Sequence, residues 1–175
     1  MPRAGPRAVM GFGGPFRRRR DGRYSVDVDP KIRTVLAAVA QQLGPMIEAG
    51  DAATTRLFPP AYVGEERAPD EAGYRSLVDG ALRNHHHRAL DVLIETSSSE
   101  TLSGEELDAW LSAIGSMRLV LGTRLDVSED MDPPGPGDPK ETEYAVYDLL
   151  GMVQAAIIDE LASGLPDEGA PDRAL

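Results

Sequence analysis

The stretch Ser103-Gly-Glu-Glu-Leu-Asp-Ala-Trp-Leu-Ser-Ala-Ile-Gly-Ser-Met-Arg-Leu-Val-Leu-Gly-Thr-Arg-Leu-Asp-Val127 decides how this chain folds. Ser103 and Glu106 have the spacing of a capping box, in which each side chain accepts the other's backbone N–H at a helix start. Leu107, Leu111, Ile114, Leu121 and Leu125 then recur on one helical face, the pattern of an element that lays one side on a core. The missing rung is Arg118. A guanidinium among leucines loses hydration, so it needs a polar partner. Gln154 sits in the same way among Tyr147, Leu150, Ile157 and Ile158, and the pattern predicts that Arg118 and Gln154 meet in a polar pocket between two helices. Such a pair reads first as a network that holds helix register and second as a ligand site.

Working outward, Gly22 to Asp29 alternates Tyr24, Val26 and Val28 with Ser25, Asp27 and Asp29, which predicts a short strand with one apolar face. Asp29-Pro30 supplies an N-cap and a proline at the first helical position, followed by Ile32, Val35, Leu36, Val39 and Leu43 at helix spacing. Pro45 is expected to end or kink that helix. A short helical turn follows and stops at Pro59-Pro60. A long helix is predicted from Asp70 to about Ser97, with one stripe through Tyr74, Leu77, Val78, Ala81 and Val92 and a second through Leu82, Ala89, Leu90 and Leu93. Two stripes predict a central helix packed on both sides. Asp126-Val127 is a candidate strand beside Tyr24 to Val28. Residues 128–140 are proline-rich and acidic and are expected to form a flexible loop before a last helix over about 141–161. The fold class is therefore mainly α: a single helical domain over 22–162, with about four main helices and a short N-terminal strand. A disordered basic arm (1–21) and a flexible tail (163–175) are expected to flank it.

The net charge of −11 is unevenly spread. Residues 1–25 hold seven arginines against one aspartate, so the rest of the chain carries −17. Arg17, Arg18, Arg19 and Arg20 form a candidate electrostatic arm for phosphate or an acidic partner. The acidic body repels nucleic acid and favours basic protein partners. The third long helix offers few basic residues to a groove, so direct DNA reading by the body is not expected. No apolar run approaches the ~20 residues that span a bilayer, and no signal segment is recognisable, which predicts a cytoplasmic protein.

The chain has no cysteine, which excludes disulfides, thiolate metal sites and cysteine nucleophiles. His85-His86-His87 invites a metal reading, but successive helical side chains turn by about 100°, so His85 and His87 cannot share an ion. His85 reads as a core-edge histidine. His87, Asp91 and Glu95 lie along one face, yet no ligand from another segment completes a coordination sphere. The adjacent acids diverge, and Gly11-Phe-Gly-Gly-Pro lacks the strand and the Gly-Lys-Ser/Thr of a phosphate loop. No catalytic residue, cofactor or metal is predicted.

Three segments carry a resemblance: Leu57-Phe-Pro-Pro-Ala-Tyr62; Leu107-Asp-Ala-Trp-Leu-Ser-Ala-Ile114 leading to Arg118-Leu-Val-Leu-Gly-Thr-Arg-Leu125; and Tyr144-Ala-Val-Tyr147 with Gln154 downstream. With the order of elements, they resemble the actinobacterial AosR-like family, long described as a domain of unknown function. The resemblance implies a helical domain with no known enzymatic activity, a role in oxidative-stress transcription, and contact with the transcription machinery or a sigma factor. A disulfide switch cannot operate in a chain without cysteine. The expected function is that of a non-enzymatic cytoplasmic regulator acting through protein contact, with the acidic helical body as docking surface. The alternative is an adaptor in Clp-dependent proteolysis, a role suggested by family gene neighbourhoods.

Overall fold

Asp29 opens the first helix as the sequence leads one to expect: its Oδ1 accepts from Lys31 N at 2.7 Å, and Pro30 occupies the first turn, where no N–H is needed. In the computed structural model, which describes residues 14–128 and 132–164, this helix α1 spans Pro30–Ala49. Pro45 does not end it. The proline is exposed, so water can take the carbonyl left without a helical donor, and Gly50 closes the helix in the left-handed conformation. Leu36, Ala40, Leu43 and Ile47 are its buried face. A 3-10 turn at Ala52–Leu57, capped by Asp51, and a shorter one at Glu65–Arg67 lead to α2, Ala68–Thr96.

The apolar stripe expected through Tyr74, Leu77 and Val78 is not buried. Leu77 is 82% exposed, and the buried positions of α2 are Ala89, Leu90 and Leu93, all in its C-terminal part. The central helix is instead α3, Gly104–Leu125, which packs against α1, α2, the Ala52–Leu57 turn and α4, Glu141–Ser163. Its capping box is formed in both directions, Glu106 N to Ser103 Oγ at 3.1 Å and Ser103 N to Glu106 Oε2 at 2.6 Å. The buried stripe runs through Leu107, Trp110, Ile114 and Met117, while Leu111 and Leu121 are half-buried. Large Trp110 and Met117 pull the stripe round the helix, so Arg118 borders it rather than interrupting it.

The folded domain begins earlier than expected. Phe16–Arg18 forms strand β1, antiparallel to β2 at Tyr24–Val26, with Phe16 opposite Val26 and Arg18 opposite Tyr24. Phe16 is the cause: it is buried edge-on against Trp110, with ring centroids 6.2 Å apart, and its alternation with exposed Arg17 gives the strand an inner face. Gly22, at φ 80°, makes the turn. Arg17 and Arg18 thus lie in the hairpin, and Arg18 N donates to Glu160 Oε1 on α4 at 2.6 Å. The domain therefore includes residues 14–21 of the segment expected to be a disordered arm; residues 1–13 lie outside the described residues, as do 129–131 of the acidic loop and 165–175 of the tail.

The third strand is also elsewhere than expected. Thr101–Leu102 is β3 and pairs with β2, Tyr24 opposite Leu102. Asp126 instead takes the left-handed conformation that closes α3, and Val127 N donates to Gly122 O at 3.0 Å. The 22-residue α3 carries the chain about 30 Å from β3, beyond reach of the sheet.

Candidate functional site

Arg118 leaves α3 toward α4. Its Nη1 donates to Gln154 Oε1 at 3.0 Å and its Nη2 to the Tyr147 hydroxyl at 3.3 Å, while the guanidinium carbon stands 4.8 Å from the centre of the Tyr147 ring. The predicted meeting of Arg118 and Gln154 is therefore present. Tyr147 is an additional partner that the sequence reading placed only on an apolar stripe. Arg118 Nε is buried and has no acceptor.

Three helix-interior glycines make room for this group. A Cβ on Gly151 would lie 3.2 Å from Arg118 Nε, one on Gly122 would lie 3.2 Å from the Tyr147 ring, and one on Gly115 would lie 3.5 Å from Gln154 Nε2. Glycine inside a helix costs roughly 1 kcal/mol against alanine, so its recurrence around one polar trio was the available signal.

The trio lines a cavity of about 230 Å³ whose wall includes Arg56. A second cavity, of about 460 Å³, adjoins it along the outer face of α3 and shares Arg56, Gly115 and Leu119 with it. His85, His86, Ser112 and Ser116 line this second part, with apolar Leu57, Pro59 and Leu82. Together they form one groove. No aspartate or glutamate lines it, in a chain with 29 acidic residues, and Arg56 forms no ion pair among the described residues.

His85 and His86 stand edge to face with ring centroids 5.7 Å apart, while His87 leaves on another face. His85 Nε2 lies 2.9 Å from Ser112 Oγ, and the ring is exposed rather than at the core edge. His86 Nε2 lies 3.3 Å from the Leu57 carbonyl, which can only accept, so Nε2 carries the hydrogen; Nδ1 lies 3.0 Å from Ser116 Oγ, whose single hydrogen it shares with the Ser112 carbonyl, also 3.0 Å from that hydroxyl. Burial pushes the His86 imidazolium to titrate below its ordinary range; the Leu57 carbonyl opposes this, and His85 and His87 add to it. His87 points the other way, its Nε2 2.6 Å from Glu48 Oε1 at an angle too oblique for a hydrogen bond. Among the described residues no three histidine, aspartate or glutamate side chains gather as metal ligands. Of the arginine arm, Arg19 approaches Asp21 at 3.7 Å, and none of Arg17 to Arg20 lines the groove.

Chemically, the groove offers cations, N–H and O–H donors, and an apolar floor. Among the described residues no helix is long and apolar enough to cross a membrane. No curated protein and no solved structure matches the chain. A family model does match over residues 13–161, a span that takes in the hairpin, α1 to α3, α4 as far as Leu161 and every residue of the groove, and the chain accordingly belongs to the family described as Domain of unknown function (DUF2017).

Proposed function

We propose that this protein is a non-enzymatic cytoplasmic regulator that acts by contact with another protein, and that the groove across α3 receives a short segment of that partner. The observation that carries the reading is the acid-free groove around an uncommitted Arg56 on an otherwise acidic chain. The apolar floor at Leu57, Pro59, Leu82 and Leu119 supplies buried area, and the cations supply orientation. Catalysis is disfavoured by the same geometry. Ser112 and Ser116 lie inside α3, where the backbone N–H groups are already committed to the helix, so neither hydroxyl has backbone donors beside it for an oxyanion hole. The AosR-like resemblance gives the setting: transcriptional or stress-response control, with RNA polymerase or a sigma factor as the partner.

The test is recovery of partners from the native host with the full chain and with an Arg56→Glu/Leu119→Asp variant, both identified by mass spectrometry. Transcription components retained by the first and released by the second support the reading. Clp components released in the same way would move the protein to regulated proteolysis, and partners held equally by both would remove the groove from its function.

A further inference from the structure

We infer that the Arg118 cavity is an oxyanion site that takes a single carboxylate. The inference rests on the groove being a docking surface and names what its inner end recognises.

Polarity carries the argument. Because Gln154 Oε1 accepts from Arg118, the amide is oriented with Nε2 and its two hydrogens on the other side, toward Gly115. The Tyr147 oxygen also accepts from Arg118, which leaves its own hydrogen to donate. Arg118 retains hydrogens on both Nη atoms beyond those two bonds; its Nε, without an acceptor among the described residues, is closed in against Gly151 and reports on the site without facing it. Arg56 adds an uncommitted guanidinium at the rim. Arg56, Arg118, Tyr147 and Gln154 Nε2 thus each keep a hydrogen to donate, and no acid lines the cavity. A cluster with surplus donors and unbalanced positive charge is completed by an anion with several lone pairs.

Size and charge narrow the class. The cavity of about 230 Å³ admits a carboxylate with a few carbons, and the adjoining floor is apolar. Outside the groove the chain is strongly acidic, so a polyanion would be repelled wherever it extended past the rim, over a screening length of about 8 Å at physiological salt. One carboxylate with apolar carbons therefore fits better than an acidic tract, and better than phosphate, whose remaining oxygens would meet the apolar Leu57, Pro59 and Leu82 without donors.

The experiment titrates the full chain with propionate and, separately, with inorganic phosphate, following the Gln154 side-chain amide and the Arg118 Nε–H by NMR. Saturable shifts with propionate, at least tenfold weaker with phosphate, are expected. Gln154→Glu should abolish them while holding or raising the melting temperature, because the new carboxylate fills the site from within and pairs with Arg118. Arg56→Gln should weaken propionate by about tenfold, the loss of one charge-assisted hydrogen bond. Propionate shifts that survive Gln154→Glu, or phosphate binding at least as tightly, overturn the inference. If the host partner is held through the groove but unaffected by Gln154→Glu, the carboxylate site fails and the docking surface stands. If propionate binds through Gln154 but no partner depends on the groove, the site stands and the docking reading fails.

Discussion

Arg118 on α3 donates to Gln154 on α4 across 3.0 Å, and this bond fixes the direction in which the Gln154 amide faces. Replacing Arg118 with Met keeps the stem and removes both hydrogen bonds. A loss of about 1–3 kcal/mol is expected, with each kcal/mol lowering the melting temperature by roughly 2–4 °C in a chain of this size. A double-mutant cycle with Gln154→Leu should show coupling of about 0.5–3 kcal/mol. Additive effects in thermal denaturation would show that the pair does not act as a unit.

Phe16 ties the hairpin to Trp110, which is fully buried and donates through Nε1 to Thr96 Oγ1 at 2.8 Å. Phe16→Ala should cost about 3–5 kcal/mol, the usual range for deleting a buried aromatic ring. A chain started at residue 22 should be destabilised as much, since it lacks Phe16 and leaves one edge of β2 unpaired. Urea denaturation of both variants checks this; a 22–175 chain as stable as the whole would show that the hairpin is dispensable.

His86 gives the fold a dependence on pH. Its folded pKa lies below the unfolded value of about 6.5, because burial penalises the charged ring. Between the two values the unfolded chain binds more protons, so stability is full above the unfolded pKa, falls as pH drops through it, and levels off below the folded pKa. His86→Gln should flatten that slope while keeping a donor for the Leu57 carbonyl. Melting curves from pH 8 to pH 5 measure it, and an identical slope in the variant would assign the dependence to other groups.

Glycines separate helix propensity from packing. Gly80 in α2 has nothing within 4 Å of an added Cβ, so Gly80→Ala should stabilise the protein by about 0.5–1 kcal/mol. Gly151→Ala gains the same propensity but presses on Arg118 Nε at 3.2 Å, and should come out neutral or destabilising. Equal stabilisation in chemical denaturation would mean that the guanidinium moves aside freely and that Gly151 is not there to accommodate it.

The starts of α1 and α3, the mainly α class and the approach of Arg118 to Gln154 are legible in the chain, because caps act within three residues and a helical face repeats every 3.6. The local signals at Asp29-Pro30 and at Ser103 with Glu106 return unchanged in the structure. What needed the tertiary structure were the contacts whose partners lie far apart in sequence. Thr101–Leu102 takes the edge of β2 that Asp126-Val127 was expected to fill, because α3 ends too far away. Phe16 turns an arginine-rich segment into a strand only because Trp110 offers it a surface. Tyr147 joins Arg118, and Arg56 joins the histidines along one groove, only once α3 is seated with Trp110 and Met117 inward. Periodicity tells which residues share a face of one helix; how far that helix is turned against its neighbours is set by the volumes that must fit between them.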